Sequence, residues 1–380
     1  MLSKRRWEID ALRGLMLVLM TLTHLPTRLT NPLGQPFGYV SAAEGFVLLS
    51  GYMAGLVYGR QALEKGIAPM RRAFWRRALL VYGCHAAMLA FLFTVIALIG
   101  IRVDEPAVKN LMSFYLRQPL DALAGGLLLI YQPPLLDILP MYVLLMLASP
   151  WAFSLALQRG WGTVLAGSVT LWLLAQGGLA HWLYHAAEPW VRMPVPYGET
   201  GAFNSFAWQL LWVLGLWLGA TRHGPQARPI RFPAAVVVLA AGIALTGLVW
   251  RHVSGQAPFG ANEALNLWFD KWQLAPLRLL NLLALLVLLV RFGPWLTAHL
   301  PRVRMLETLG AASLAVFCVH LVVVLLTLSL FGAKLHRSWA VDLPLLAFAR
   351  GSLYGGGRVT RGGEGRPGPP TGGQAASAGG

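Results

Sequence analysis

Charge is what this sequence has least of. Only 12% of its 380 residues are Asp, Glu, Lys or Arg, about half of the roughly 25% usual for a soluble globular chain. Acidic residues are scarcer still, with 15 Asp and Glu against 31 Lys and Arg. Cysteine is nearly absent. Cys84 and Cys318 both sit inside apolar runs, where a lone thiol packs as a small core residue and builds no disulfide framework. The sequence also lacks H-E-x-x-H, C-x-x-C and a Gly-rich loop followed by Lys and Ser or Thr. No His or Cys spacing forms a credible metal set, so no metal is expected. These gaps exclude a soluble multidomain enzyme, a disordered chain and a fibrous repeat.

Apolar residues make up 56% of the chain, with 15 Trp. A helix that crosses a bilayer needs about 20 mostly apolar residues. Candidate spans lie near 13–30, 40–58, 78–100, 134–156, 161–180, 205–221, 233–250, 274–291 and 306–331, with a weaker tenth at 338–349. The run at 120–131 is short and meets Gln132-Pro133-Pro134, which reads as re-entrant or interfacial. No small-residue cleavage site follows the first apolar run, so it is read as a retained helix. The expected fold is therefore all-α: a polytopic integral membrane helix bundle of about 10 transmembrane helices. The net charge of +16 fits basic inner loops better than nucleic acid, because no basic domain stands outside the apolar segments. Lys and Arg are more frequent in alternate loops starting from Lys4-Arg5-Arg6, which places the N-terminus inside. The last 30 residues hold 12 of the 41 Gly and no apolar periodicity. They divide the chain into a transmembrane domain, 1–349, and a tail, 350–380, expected to be disordered.

Ionisable groups within apolar runs are costly, and each is a functional hypothesis. In the first span, eleven steps separate Arg13 from His24, roughly 16 Å at helical rise. Arg13 falls at the inner boundary and His24 in the outer half. Arg13 reads either as an interfacial anchor or as a ligand for an anion. A neutral imidazole suits removal of a hydroxyl proton near pH 7, although a histidine bonded within the bundle is an equal reading. Glu44 opens the second span at a similar depth, so a base-and-orienter pair with His24 is one reading and a loop cap the other. Ser50-Gly51 permits close helix approach. Arg71, Arg72, Arg76 and Arg77 form a cationic rim fit for phosphates or for plain anchoring. Two turns beyond, His85 is either a channel-lining or a core histidine. Asp137 and His320 fall near the depth of His24. His181, His185, Glu188, Arg192, Glu199, Glu263 and Asp270 occupy the long outer loops, either to hold a hydrophilic acceptor or as solvated loop residues.

Trp7-Glu-Ile-Asp10-Ala-Leu-Arg13-Gly…His24 resembles the first helix of the membrane acyltransferase-three superfamily, with its Arg, ten residues, His signature. Phe46-Val-Leu-Leu-Ser50-Gly51-Tyr52 is similar to its second-helix motif. Ala42–Tyr52, Leu136-Asp137-Ile-Leu-Pro140-Met-Tyr142 and Ser313-Leu-Ala-Val-Phe-Cys318-Val-His320 look like the OpgC branch. That branch is similar to enzymes that succinylate osmoregulated periplasmic glucans. The resemblance covers roughly residues 5–345.

It implies a multi-pass enzyme of the bacterial inner membrane that passes an acyl group, succinyl by analogy, from cytoplasmic acyl-CoA to a carbohydrate hydroxyl on the other side. Acyl-CoA is then a donor substrate and no cofactor is permanently bound. The partners are the lipid bilayer and a periplasmic glucan or other carbohydrate, with no nucleic acid. His24 matches the catalytic histidine and Arg13 the first-helix arginine. With the residue readings above, this makes His24 and Glu44 the candidate catalytic pair. Arg13, Arg72, Arg76, Arg77 and His85 are candidate donor-binding residues, and Asp10, Asp137, Tyr142 and His320 candidate substrate-binding residues. The superfamily's third-helix Arg-x-x-Arg is not matched by the spacing of the four arginines here. A transporter or flippase of donor or glycan without acyl transfer is the rival reading, and a non-catalytic relative of the same fold is another.

Overall fold

A computed structural model describes residues 7–103, 106–191, 194–222, 230–335 and 338–364. Every regular element among them is helical. The principal helices are α1 (Trp7–His24), α2 (Ala42–Lys65), α3 (Ile67–Phe91), α4 (Ile138–Arg159), α5 (Trp161–Gln176) and α6 (Leu179–Val191). They continue as α7 (Ser205–Ala220), α8 (Ala234–Ser254), α9 (Pro276–His299), α10 (Arg304–Ala311), α11 (Ser313–Phe331) and α12 (Trp339–Glu364). A π-helical turn, Leu92–Ile96, carries α3 onward into Ala97–Val103. Five helical stretches are long and apolar enough to cross a membrane: Ile67–Gly100, α4, α8, α9 and α11. The α5–α6 pair, bent by 76°, makes a sixth if it is one span. The chain is thus a helical protein built for a membrane. Its helices occupy the expected spans, but α1 carries Glu8, Asp10 and Arg13 early and α7 has only 16 residues.

Three elements differ from the sequence reading. The run at 306–331 is two helices, because Ala312 leaves helical geometry between α10 and α11. Residues 106–127 are a string of short helices, of which Pro119–Leu127 packs against α3. The composition break at 350 is not a helix end, since α12 runs on to Glu364; residues 365–380 lie outside the described residues, as do Lys4, Arg5, Arg6 and Arg192.

Glycine sets the tightest packing. On α2, a Cβ at Gly51 or Gly55 would meet the Trp212 or Leu216 carbonyl oxygen of α7 at 2.5 or 2.3 Å. On α7, a Cβ at Gly215 or Gly219 would meet the Leu48 or Tyr52 carbonyl at 2.3 or 2.1 Å. The two G-x-x-x-G ridges therefore interdigitate backbone to backbone, the arrangement small residues permit where lipid supplies no hydrophobic drive. A second seam joins α1 to α10, where a Cβ at Gly14 would lie 2.0 Å from the Leu306 oxygen and one at Gly310 1.7 Å from the Asp10 oxygen. The second seam, with the packing of α1 against α2 and α11, gathers the residues singled out in the sequence.

Candidate active site

At the end of the bundle where α1 begins, Arg13 donates to the Ser313 hydroxyl at the start of α11. Asp10, one turn earlier, faces the same guanidinium at 4.0 Å. A cavity of about 260 Å³ opens there. Its lining includes Asp10, Arg13, Phe46, Tyr58, Arg77, Ile138, Tyr142, Ser313 and Phe317. That volume is below the roughly 300–1,000 Å³ of sites that enclose a whole small ligand, so it suits a slender group beside Arg13 and Arg77. Tyr142 donates to the Phe46 carbonyl at 3.2 Å, joining two residues of the cavity wall.

Phe317 links this cavity to the next layer. Its ring lies 6.2 Å from Phe46 and 5.6 Å from His320. One turn further along α11, His320 is wholly buried. Its Nε2 lies 3.2 Å from His24 Nδ1 at the end of α1, with the rings stacked at 5.3 Å. One of these nitrogens must donate and the other accept. If His24 donates from Nδ1, its Nε2 keeps a lone pair; the reverse leaves a proton on Nε2 and no base. His24 is only partly buried, and no hydrogen bond among the described residues occupies its Nε2.

The expected His24–Glu44 pair is not formed. Glu44 is wholly buried and accepts from Arg278 Nε on α9, from Ser41 N at 3.0 Å and from the Ser41 hydroxyl. The physical reason is charge: a carboxylate taken from water finds a guanidinium before a neutral imidazole. Glu44 therefore caps α2 and locks it to α9, while His320 is the residue against His24. The sequence signal for Arg278 is an arginine set well inside the apolar 274–291 run.

Asp137, at the start of α4, is buried and accepts from Ala202 N at 3.3 Å. It stands with Glu44 and the histidines at the same end of the bundle, joined to them through the connection ahead of α9. Lys271 in that connection acts electrostatically on His24, Glu44 and Asp137. Burial pushes the Lys271 ammonium below the ordinary lysine range, opposed by Glu44 and Asp137.

Other expectations fare differently. Of the rim arginines, only Arg77 lines the cavity; Arg72 and Arg76 point outward from α3. His85 is buried away from the cavity and bonds the Gly126 carbonyl at 3.0 Å, so it ties α3 to Pro119–Leu127 and is a core histidine. His185 pairs with Glu188 at 3.0 Å, Arg117 lies 3.8 Å from Glu199, and Asp270 accepts from Trp272 N. Among the described residues, no group of three or more His, Cys, Asp or Glu is arranged to hold a metal.

A protein-family model described as OpgC protein matches residues 5–359. No curated protein and no solved structure matches the chain.

Proposed function

The chain belongs to the OpgC protein family, and from that premise we propose that it is a membrane O-acyltransferase acting on a glucan or another carbohydrate. In this reading about ten helices span a bacterial inner membrane with the N-terminus in the cytoplasm. The donor is a cytoplasmic acyl-CoA, succinyl-CoA by family analogy, and the acceptor hydroxyl waits on the far side.

The observation that carries the reading is a layered one. The cavity that Arg13 and Arg77 line is also lined by Phe317, whose ring lies 5.6 Å from His320, the partner of His24. The eleven residues from Arg13 to His24 span roughly 16 Å, which suits an extended pantetheine arm. Arg13 and Arg77 hold phosphates, and the thioester reaches the histidine layer. His24 Nε2 takes the proton of the acceptor hydroxyl as its oxygen attacks the thioester carbon. His24 Nδ1–H donates to His320 Nε2, which fixes the tautomer and bears part of the charge that forms. The carbon–sulfur bond breaks, the thiolate leaves, and His24 returns the proton to it. The products are an ester and free CoA.

The test is turnover. Protein in lipid nanodiscs receives succinyl-CoA or acetyl-CoA with a periplasmic glucan, and both free CoA and labelled glucan are followed. The reading expects stoichiometric CoA and ester, lost by about 10²–10⁴-fold in His24→Ala. A folded protein that releases no CoA from any acyl-CoA sinks it.

A further inference from the structure

α6 differs from the other principal helices in that none of its residues is buried. It leaves α5 at 76° across Gly177-Gly178, where Gly178 adopts φ of +84°. Among the described residues, no other helix packs along it. Its sequence has two faces. Leu179, Trp182, Leu183, Ala186 and Trp190 recur at i, i+3, i+4, i+7 and i+11, and His181, Tyr184, His185 and Glu188 share the opposite side.

The polar face is the one the protein engages. Tyr184 donates to the Val195 carbonyl, His185 pairs with Glu188 at 3.0 Å, and the His181 ring meets that of Tyr197 at 5.2 Å. The chain that follows α6 therefore folds back on the polar side and leaves the apolar side bare, with Trp182 66% and Trp190 87% exposed. On a soluble protein such a face marks a protein contact; here its depth names another occupant. Eighteen steps carry the chain from Gly160 to Gly178, roughly 27 Å at helical rise and close to the hydrocarbon thickness of about 30 Å. Arg159 stands just before the first glycine. Just ahead of the second, Gln176 donates to the Gln273 carbonyl at 2.9 Å, beside the exposed Trp272. Polar backbone and aromatic rings share that level, as they do at a membrane boundary. A helix turned through 76° there runs nearly along the bilayer surface.

We propose that α6 is an interfacial helix whose partner is the lipid surface. Trp182, Leu183, Ala186 and Trp190 sink into the boundary between headgroups and acyl chains, and His181, His185 and Glu188 face water. α6 is then neither the second half of a broken span nor a loop in solvent. It also fixes the depth of the segment after it, whose Ala202 amide donates to Asp137. The inference needs a membrane protein and is independent of acyl transfer.

The experiment reads depth along the helix. A nitroxide is attached at Trp182→Cys, Leu183→Cys, Ala186→Cys or Trp190→Cys, and at His181→Cys, His185→Cys or Glu188→Cys, in a chain carrying Cys84→Ala and Cys318→Ala. The host is a vesicle of phosphatidylethanolamine and phosphatidylglycerol. Collision of the spin with oxygen, which dissolves in lipid, is compared with collision with a water-soluble nickel chelate. The apolar positions should favour oxygen at one common depth, about 5–10 Å into the boundary, and the polar positions should favour nickel. A depth that changes steadily from 182 to 190, by the roughly 12 Å that eight residues rise, shows a span and overturns the proposal. So does nickel access on both faces, which puts the helix in water. Spin–spin broadening that persists when the vesicles are diluted with unlabelled lipid gives the face to a second copy of the chain, and overturns it as well. A measurement with native cysteines stands beside these: quenching of Trp fluorescence by lipids brominated near the headgroup should fall when Trp182→Phe and Trp190→Phe are combined, and an unchanged quenching rejects the interfacial seat.

Discussion

Replacing Arg278 by Met leaves the Glu44 carboxylate wholly buried with only Ser41 left to hydrogen-bond it. Removing one partner of a buried ion pair costs about 3–5 kcal/mol, because the remaining charge stays out of water. Glu44→Gln strands the Arg278 guanidinium, itself 2% exposed, at a similar cost. The double variant carries neither charge. Gln still accepts from the Ser41 amide and Met fills most of the arginine stem, so the expected loss falls to about 0–2 kcal/mol. The cycle should thus show a coupling of about 3 kcal/mol or more. Equilibrium unfolding in detergent micelles measures it, provided the denaturant slope stays constant across the four proteins. Single losses below about 1 kcal/mol that simply add would refute the pairing and return Glu44 to the role of a neutral cap or a partner of His24.

Arg77→Ala should raise the KM for the acyl-CoA donor several-fold, while Arg72→Ala and Arg76→Ala change it little; initial rates across donor concentration decide. Gly14→Ala drives a methyl against the Leu306 carbonyl oxygen at 2.0 Å and should cost about 1–3 kcal/mol or more, whereas Gly83→Ala, with nothing within 4 Å, leaves the melting midpoint unchanged or slightly raised. His85→Ala should lower stability by about 1–3 kcal/mol through the orphaned Gly126 carbonyl without altering the donor KM.

Much of the site is legible in the chain because it is made of anomalies. Arg13, His24, Asp137 and His320 are polar groups in apolar runs, and such groups are retained where something uses them. Helical rise places Arg13 and His24 at two levels without any structure. Partner choice is not legible, because it depends on which helices adjoin. Depth alone offered His24 both Glu44 and His320; only the seating of α9 beside α2 shows that Arg278 claims the carboxylate. His85 and the outward arginines show the opposite error, in which a residue of suitable chemistry faces away from the cavity. The helix through Gly351, Gly355, Gly356 and Gly357 defied composition because a Gly-rich stretch can be helical when it packs, as Gly356 does against Val319.

His24 and His320 are separated by 296 positions. At about 5–20 residues per second, the ribosome delivers the second ring roughly 15–60 s after the first. During that interval the Arg13–Ser313 contact is also unmade, because Ser313 belongs to the same late helix as His320. If the chain is the acyltransferase proposed above, an incompletely made copy can neither seat a thioester nor deprotonate anything beside it. Waste hydrolysis of the donor by nascent or prematurely terminated copies is then forestalled by the order of translation itself.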